Sequence, residues 1–80
     1  MEVKSEIKIL GENIKNLRLN KGLSKKEMSK LLGIGVKNLD TLEKGELPNR
    51  LTVNIIFHIK NNFGYMPSEM LTSGFIKISE

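Results

Sequence analysis

Eighty residues at 39% hydrophobic and 28% charged composition make one small globular domain, neither disordered nor fibrous. Cysteine is absent, which excludes a disulfide framework and thiolate chemistry, and the longest apolar run, Ile55 to Phe57, is too short to cross a membrane. The net charge of +4 lies wholly in residues 1–50, which hold eleven Lys/Arg against seven Asp/Glu, whereas residues 51–80 balance at two against two. A chain basic at one end suits a polyanion there, although a solvated lysine-rich surface would give the same count. The first ten residues alternate charged and apolar side chains, unlike a signal peptide, so a cytoplasmic location is expected.

Glycine and proline divide the chain into short blocks of helical periodicity, so the expected class is all-α with five helices. Ile7, Leu10, Ile14 and Leu17 form one face of a first helix that ends before Gly22. Gly11 inside that pattern costs about 1 kcal/mol relative to alanine, which sets the expected start near Leu10 and leaves residues 1–9 as an N-terminal arm. Ser24 with Glu27 three residues on is a capping box, opening a second helix that buries Met28, Leu31 and Leu32 and stops at Gly33. Gly35 leads into a third helix carrying Val36, Leu39 and Leu42 inward and ending at Gly45. Thr52 to Phe63 reads as a fourth helix with Ile55, Ile56, Ile59 and Phe63 as core, and Pro67 to Leu71 as a short fifth. Met66, Met70 and Leu71 are expected to pack around that fifth helix. Residues 73–80 read as a C-terminal tail whose alternating Phe75-Ile76-Lys77-Ile78 suits an added strand in a partner interface.

The segment from Ser24 to Gly45 has the spacing of a helix-turn-helix. Counting from Lys25, the fifth position holds a small residue, Ser29, where the helices touch. The ninth holds Gly33 for a left-handed turn, and the tenth, fifteenth and eighteenth hold Ile34, Leu39 and Leu42 to fill the wedge. The runs Gly11-Glu12-Asn13-Ile14-Lys15-Asn16-Leu17-Arg18, Lys21-Gly22-Leu23-Ser24, Leu31-Leu32-Gly33-Ile34 and Leu42-Glu43-Lys44-Gly45 complete a pattern that resembles the phage-repressor (Cro/C1-type, XRE-like) helix-turn-helix family over residues 10–72. The resemblance implies a five-helix, lambda-repressor-like domain that binds double-stranded DNA as a homodimer in transcriptional regulation, with its third helix in the major groove. It implies neither enzymatic activity nor a cofactor. Two residues depart from the family's common pattern: Lys25 stands where glutamine is usual, and Gly35 where serine or threonine is usual.

On that resemblance Val36, Lys37, Asn38 and Thr41 face base edges. Lys37 can donate to guanine, Asn38 can pair with adenine, and Val36 or the Thr41 methyl can pack on a thymine methyl. Simpler roles stay open for each, namely a phosphate contact for Lys37, a cap or solvation for Asn38, and half-burial against Met28 for Val36. Phosphate contacts are assigned to Ser24 and Lys25 at the positive end of the second helix, and to Lys44, Asn49 and Arg50 around the following loop. Asp40 is expected to point sideways into solvent, because facing phosphates would be repulsive. The resemblance also pairs Arg18 with Glu43, tying the third helix to the first. His58 has no second ligand at metal spacing, and no nucleophile or phosphate-loop motif occurs, so neither a metal nor catalysis is expected. The alternative reading is a protein-interaction module, antitoxin-like or regulator-binding, that uses the same fold and its apolar tail.

Overall fold

The computed structural model describes residues 3–49 and 54–77, with side chains from Glu6 onward. Its first helix, α1 (Val3–Asn20), lays Ile7, Leu10, Ile14 and Leu17 along one face, and all four are buried. Four further helices follow: α2 (Lys25–Leu32), α3 (Val36–Glu43), α4 (Asn54–Phe63) and α5 (Pro67–Met70), with no strand among the described residues. Helix α1 packs on α3 and α5, while α2 packs on α3 and α4. The shared core adds Met28, Leu32, Leu39, Leu42, Ile55, Ile59, Met70 and Ile76, with Leu23, Ile34, Ile56, Phe63 and Tyr65 packed against it. None of the helices described is long and apolar enough to cross a membrane.

The described part of the N-terminal arm is helix. Helix α1 begins at Val3, seven residues before the expected start, and runs through Gly11 without a break. The glycine is there for a neighbour: a Cβ on it would lie 1.9 Å from the carbonyl oxygen of Leu42. Its absence lets the end of α3 rest directly on the backbone of α1, so a residue that weakens the helix locally permits a close helix contact.

The C-terminal tail is corrected in the same way. Ile76 is buried, and the chain from Met70 to Lys77 runs beside α1 as a strap held by three asparagines at i, i+3 and i+7. Asn13 donates through Nδ2 to the carbonyls of Met70 (2.7 Å) and Thr72 (3.0 Å), and its Oδ1 accepts from the Ile76 amide (3.1 Å). Asn16 donates to the Ile76 carbonyl and Asn20 to that of Lys77. The Phe75 ring meets Tyr65 edge-on at 5.7 Å. Residues 75–77 are therefore engaged with their own chain; Ile78 lies outside the described residues.

Asn13 is 1% exposed, so Asn13→Ala would strand the Met70 carbonyl and the Ile76 amide, while the Thr72 carbonyl would keep only the Phe75 amide. A loss of about 2–3 kcal/mol is expected in chemical denaturation, with faster amide exchange at Ile76 as its local signature. An unchanged Ile76 exchange rate would show that the strap is held by Ile76 burial alone.

Helix α4 follows its expected face, with Ile55 and Ile59 buried and Asn62 donating to the Leu31 carbonyl of α2 at 3.0 Å. Its expected start at Thr52 lies outside the described residues. In α5, a single turn, only Met70 reaches the core; Met66 and Leu71 are exposed, because one turn presents one side to α1.

Candidate nucleic-acid interface

Helix α2 starts as its sequence dictates. The Glu27 amide donates to Ser24 Oγ (3.1 Å) and the Ser24 amide donates to the Glu27 carboxylate (3.0 Å). The Ser24 amide, and after it the Ser24 hydroxyl beside the carboxylate, hold the Glu27 carboxyl below its ordinary pKa. Gly33, at φ 70°, closes the helix in the left-handed region, and Gly35 caps α3 by backbone shape alone, without a side-chain hydrogen bond. The turn between α2 and α3 is thus three residues, Gly33 to Gly35. Ser29 is buried where the two helices meet and satisfies its own hydroxyl on the Lys26 carbonyl.

With Leu39 and Leu42 turned into the core, Lys37, Asp40, Thr41 and Lys44 fall at i, i+3, i+4 and i+7 and form one outward stripe. Val36 flanks it and is 44% exposed, so it does not turn inward. Thr41 Oγ1 donates to the Lys37 carbonyl at 3.0 Å, which occupies its hydroxyl hydrogen. Asn38 is half-buried and lies off the stripe, toward the core side.

Arg18 of α1 fixes this helix from behind. Its Nε and Nη2 donate to the two oxygens of Glu43 at 2.8 and 3.0 Å, and Nη1 donates to the Leu23 carbonyl at 3.2 Å. The fork joins α1, the turn before α2 and the end of α3 at one point, with both side chains largely out of water.

Asp40 lies at the surface, its side chain 33% exposed, but its carboxylate is not left to solvent alone. Its carboxylate accepts from Lys25 of α2 and, at 3.0 Å, from Lys44 one turn further along α3. These two ammonium groups, Lys25 most, hold its pKa down to about 2, and the same bond raises that of Lys44. Two residues assigned to phosphate are thus brought together by a third that no phosphate role requires. The i, i+4 spacing of Asp40 and Lys44 was a visible sign of it.

No match is found among protein-family models, curated proteins or solved structures.

The remaining assigned residues are less tightly organised. Ser24 is exposed at the cap and Asn49 is exposed in the loop after α3, while Arg50 lies outside the described residues. An open groove of about 290 Å³ between α1 and the end of α3 adds Lys8 and Lys15 to the cations near Lys44. Lys8 escaped the sequence reading because it fell in the presumed arm. His58 is half-buried beside Gly33, and no group of metal-binding side chains occurs among the described residues.

Proposed function

We propose that the chain is a small transcriptional regulator that binds double-stranded DNA and lays α3 in the major groove. The observation that carries this reading is the outward stripe of α3, where Lys37 and Thr41 are presented with the exposed Val36 beside them. Behind that stripe, Leu39, Leu42 and the Arg18–Glu43 fork hold the helix rigid. Base reading needs such fixed side chains, because each bidentate or methyl contact discriminates by only about 1–3 kcal/mol. Lys25 at the start of α2, with Lys44, supplies the backbone-positioning charge, and Lys8 and Lys15 extend it along α1. A homodimer would double the footprint and read two half-sites about 34 Å apart. Repression by occupying a promoter is the simplest output of such a binding module, and the cytoplasm is where such a duplex would be met.

Selection of bound duplexes from a random library tests the reading directly, since an enriched palindrome also reports the dimer. A titration over roughly 50 to 200 mM salt should give a slope of log K against log salt near −3.5 per protomer, if about four phosphates are neutralised. Lys37→Ala should cost about 1–3 kcal/mol on the selected sequence and little on random duplex, while Lys25→Ala should weaken both alike. Absence of duplex binding at any salt in that range would replace the reading with the protein-interaction module.

A further inference from the structure

The stripe of α3 offered to DNA carries a negative charge at its centre. Asp40 lies between Lys37 and Lys44, and its two carboxylate oxygens are each occupied, one by Lys25 and one by Lys44. Both lysine side chains keep much of their surface in water, at 43% and 66% exposure, so each can exchange its acceptor without any backbone movement. A phosphate oxygen and a carboxylate oxygen are equivalent acceptors for an ammonium group. We propose that Asp40 is an internal substitute for a DNA phosphate. It occupies Lys25 and Lys44 in the free protein and must be displaced before either contacts the duplex. The proposal rests on the DNA-binding reading above.

The physical consequence is a threshold on affinity. Two lysines and one carboxylate bring one net positive charge to the DNA where two would otherwise act. On docking, both lysine–carboxylate contacts must be broken before phosphate oxygens can replace them. That penalty is the same for every sequence, because Lys25 and Lys44 are assigned to the backbone. Asp40 therefore lowers binding to all duplexes in proportion and leaves discrimination to the base contacts.

The test uses the full chain, with Asp40→Asn and Asp40→Ala as independent variants, each checked for wild-type helicity. Salt titrations are made on a random-sequence duplex and on a library-selected duplex. At the low-salt end both variants should bind both duplexes roughly fivefold more tightly, the worth in water of one ammonium–carboxylate contact that no longer has to be broken. The salt slope should steepen by about one, and the ratio of selected to random binding should not change. In a Lys25→Ala, Lys44→Ala background the gain from Asp40→Asn should largely vanish, because the carboxylate then has nothing to occupy. Binding by the wild type with no gain in either Asp40 variant overturns the proposal and leaves the DNA reading intact. An undiminished gain in the double-alanine background also overturns it, since Asp40 would then act as simple repulsion. If neither the wild type nor the variants bind any duplex, the DNA reading fails and takes this proposal with it.

Discussion

Gly11→Ala should destabilise the fold by about 2–4 kcal/mol, against a total of roughly 4–12 kcal/mol for a chain of this length. The sign is the informative part. In an exposed helix interior the same substitution stabilises by up to about 1 kcal/mol, through helix propensity and a less flexible unfolded chain. Here the added methyl would stand 1.9 Å from the Leu42 carbonyl oxygen and 2.9 Å from its carbon, both backbone atoms that cannot rotate away. Helices α1 and α3 must separate, and with them the Leu17, Leu39 and Leu42 packing between them loosens. Chemical denaturation of the variant decides the matter. A midpoint at or above the wild type would show that the two helices do not touch at this glycine in solution.

Glu43→Ala should cost about 2–4 kcal/mol, several times what an exposed ion pair contributes. Its side chain is 4% exposed and that of Arg18 is 11%, so the change strands a guanidinium that water reaches poorly. Replacing both residues, Arg18→Met with Glu43→Leu, should recover most of that loss by putting apolar groups in the same space. Recovery should stop about 1 kcal/mol short, because Arg18 also serves the Leu23 carbonyl, which methionine leaves without its donor. A double-mutant cycle by denaturation measures the coupling, and a value below about 0.5 kcal/mol would mean the fork is offset by its own desolvation.

The parts of this fold that were legible in the sequence are those whose causes lie close together along the chain. Ser24 and Glu27 cap each other across three residues, and Gly33 stops α2 by its own backbone preference, so both could be read locally. The spacing of Leu39 and Leu42 placed one side of α3 inward and therefore located the opposite stripe. The errors came where a local cost has a distant reason. Gly11 looks like a helix breaker until Leu42, thirty-one positions away in the sequence, is brought against it. Asn13, Asn16 and Asn20 form a regular polar row on α1, but their acceptors lie 57 to 60 residues further on, and no pattern in the row names them. Within the candidate site, the Arg18–Glu43 contact was anticipated through the resemblance, whereas the bridging position of Asp40 was passed over. Its i, i+4 relation to Lys44 was readable; its contact with Lys25 depends on how the three-residue turn folds α2 over α3.

The strap on α1 is gripped by its peptide groups. The three asparagines bond to main-chain atoms at Met70, Thr72, Ile76 and Lys77. Peptide groups are the same whatever residue bears them, so the row of amides would accept many different sequences and holds no information about alignment. Alignment is left to side chains that fit one place each, Met70 and Ile76 in the core and Phe75 on the edge of Tyr65. A shift of one residue would offer the core Phe75 or Lys77 in place of Ile76. Substitutions at the exposed Ser73 should therefore drift freely, whereas Gly74 is held to glycine by its left-handed φ of 72°, and the apolar anchors keep the segment in phase with the helix beneath it.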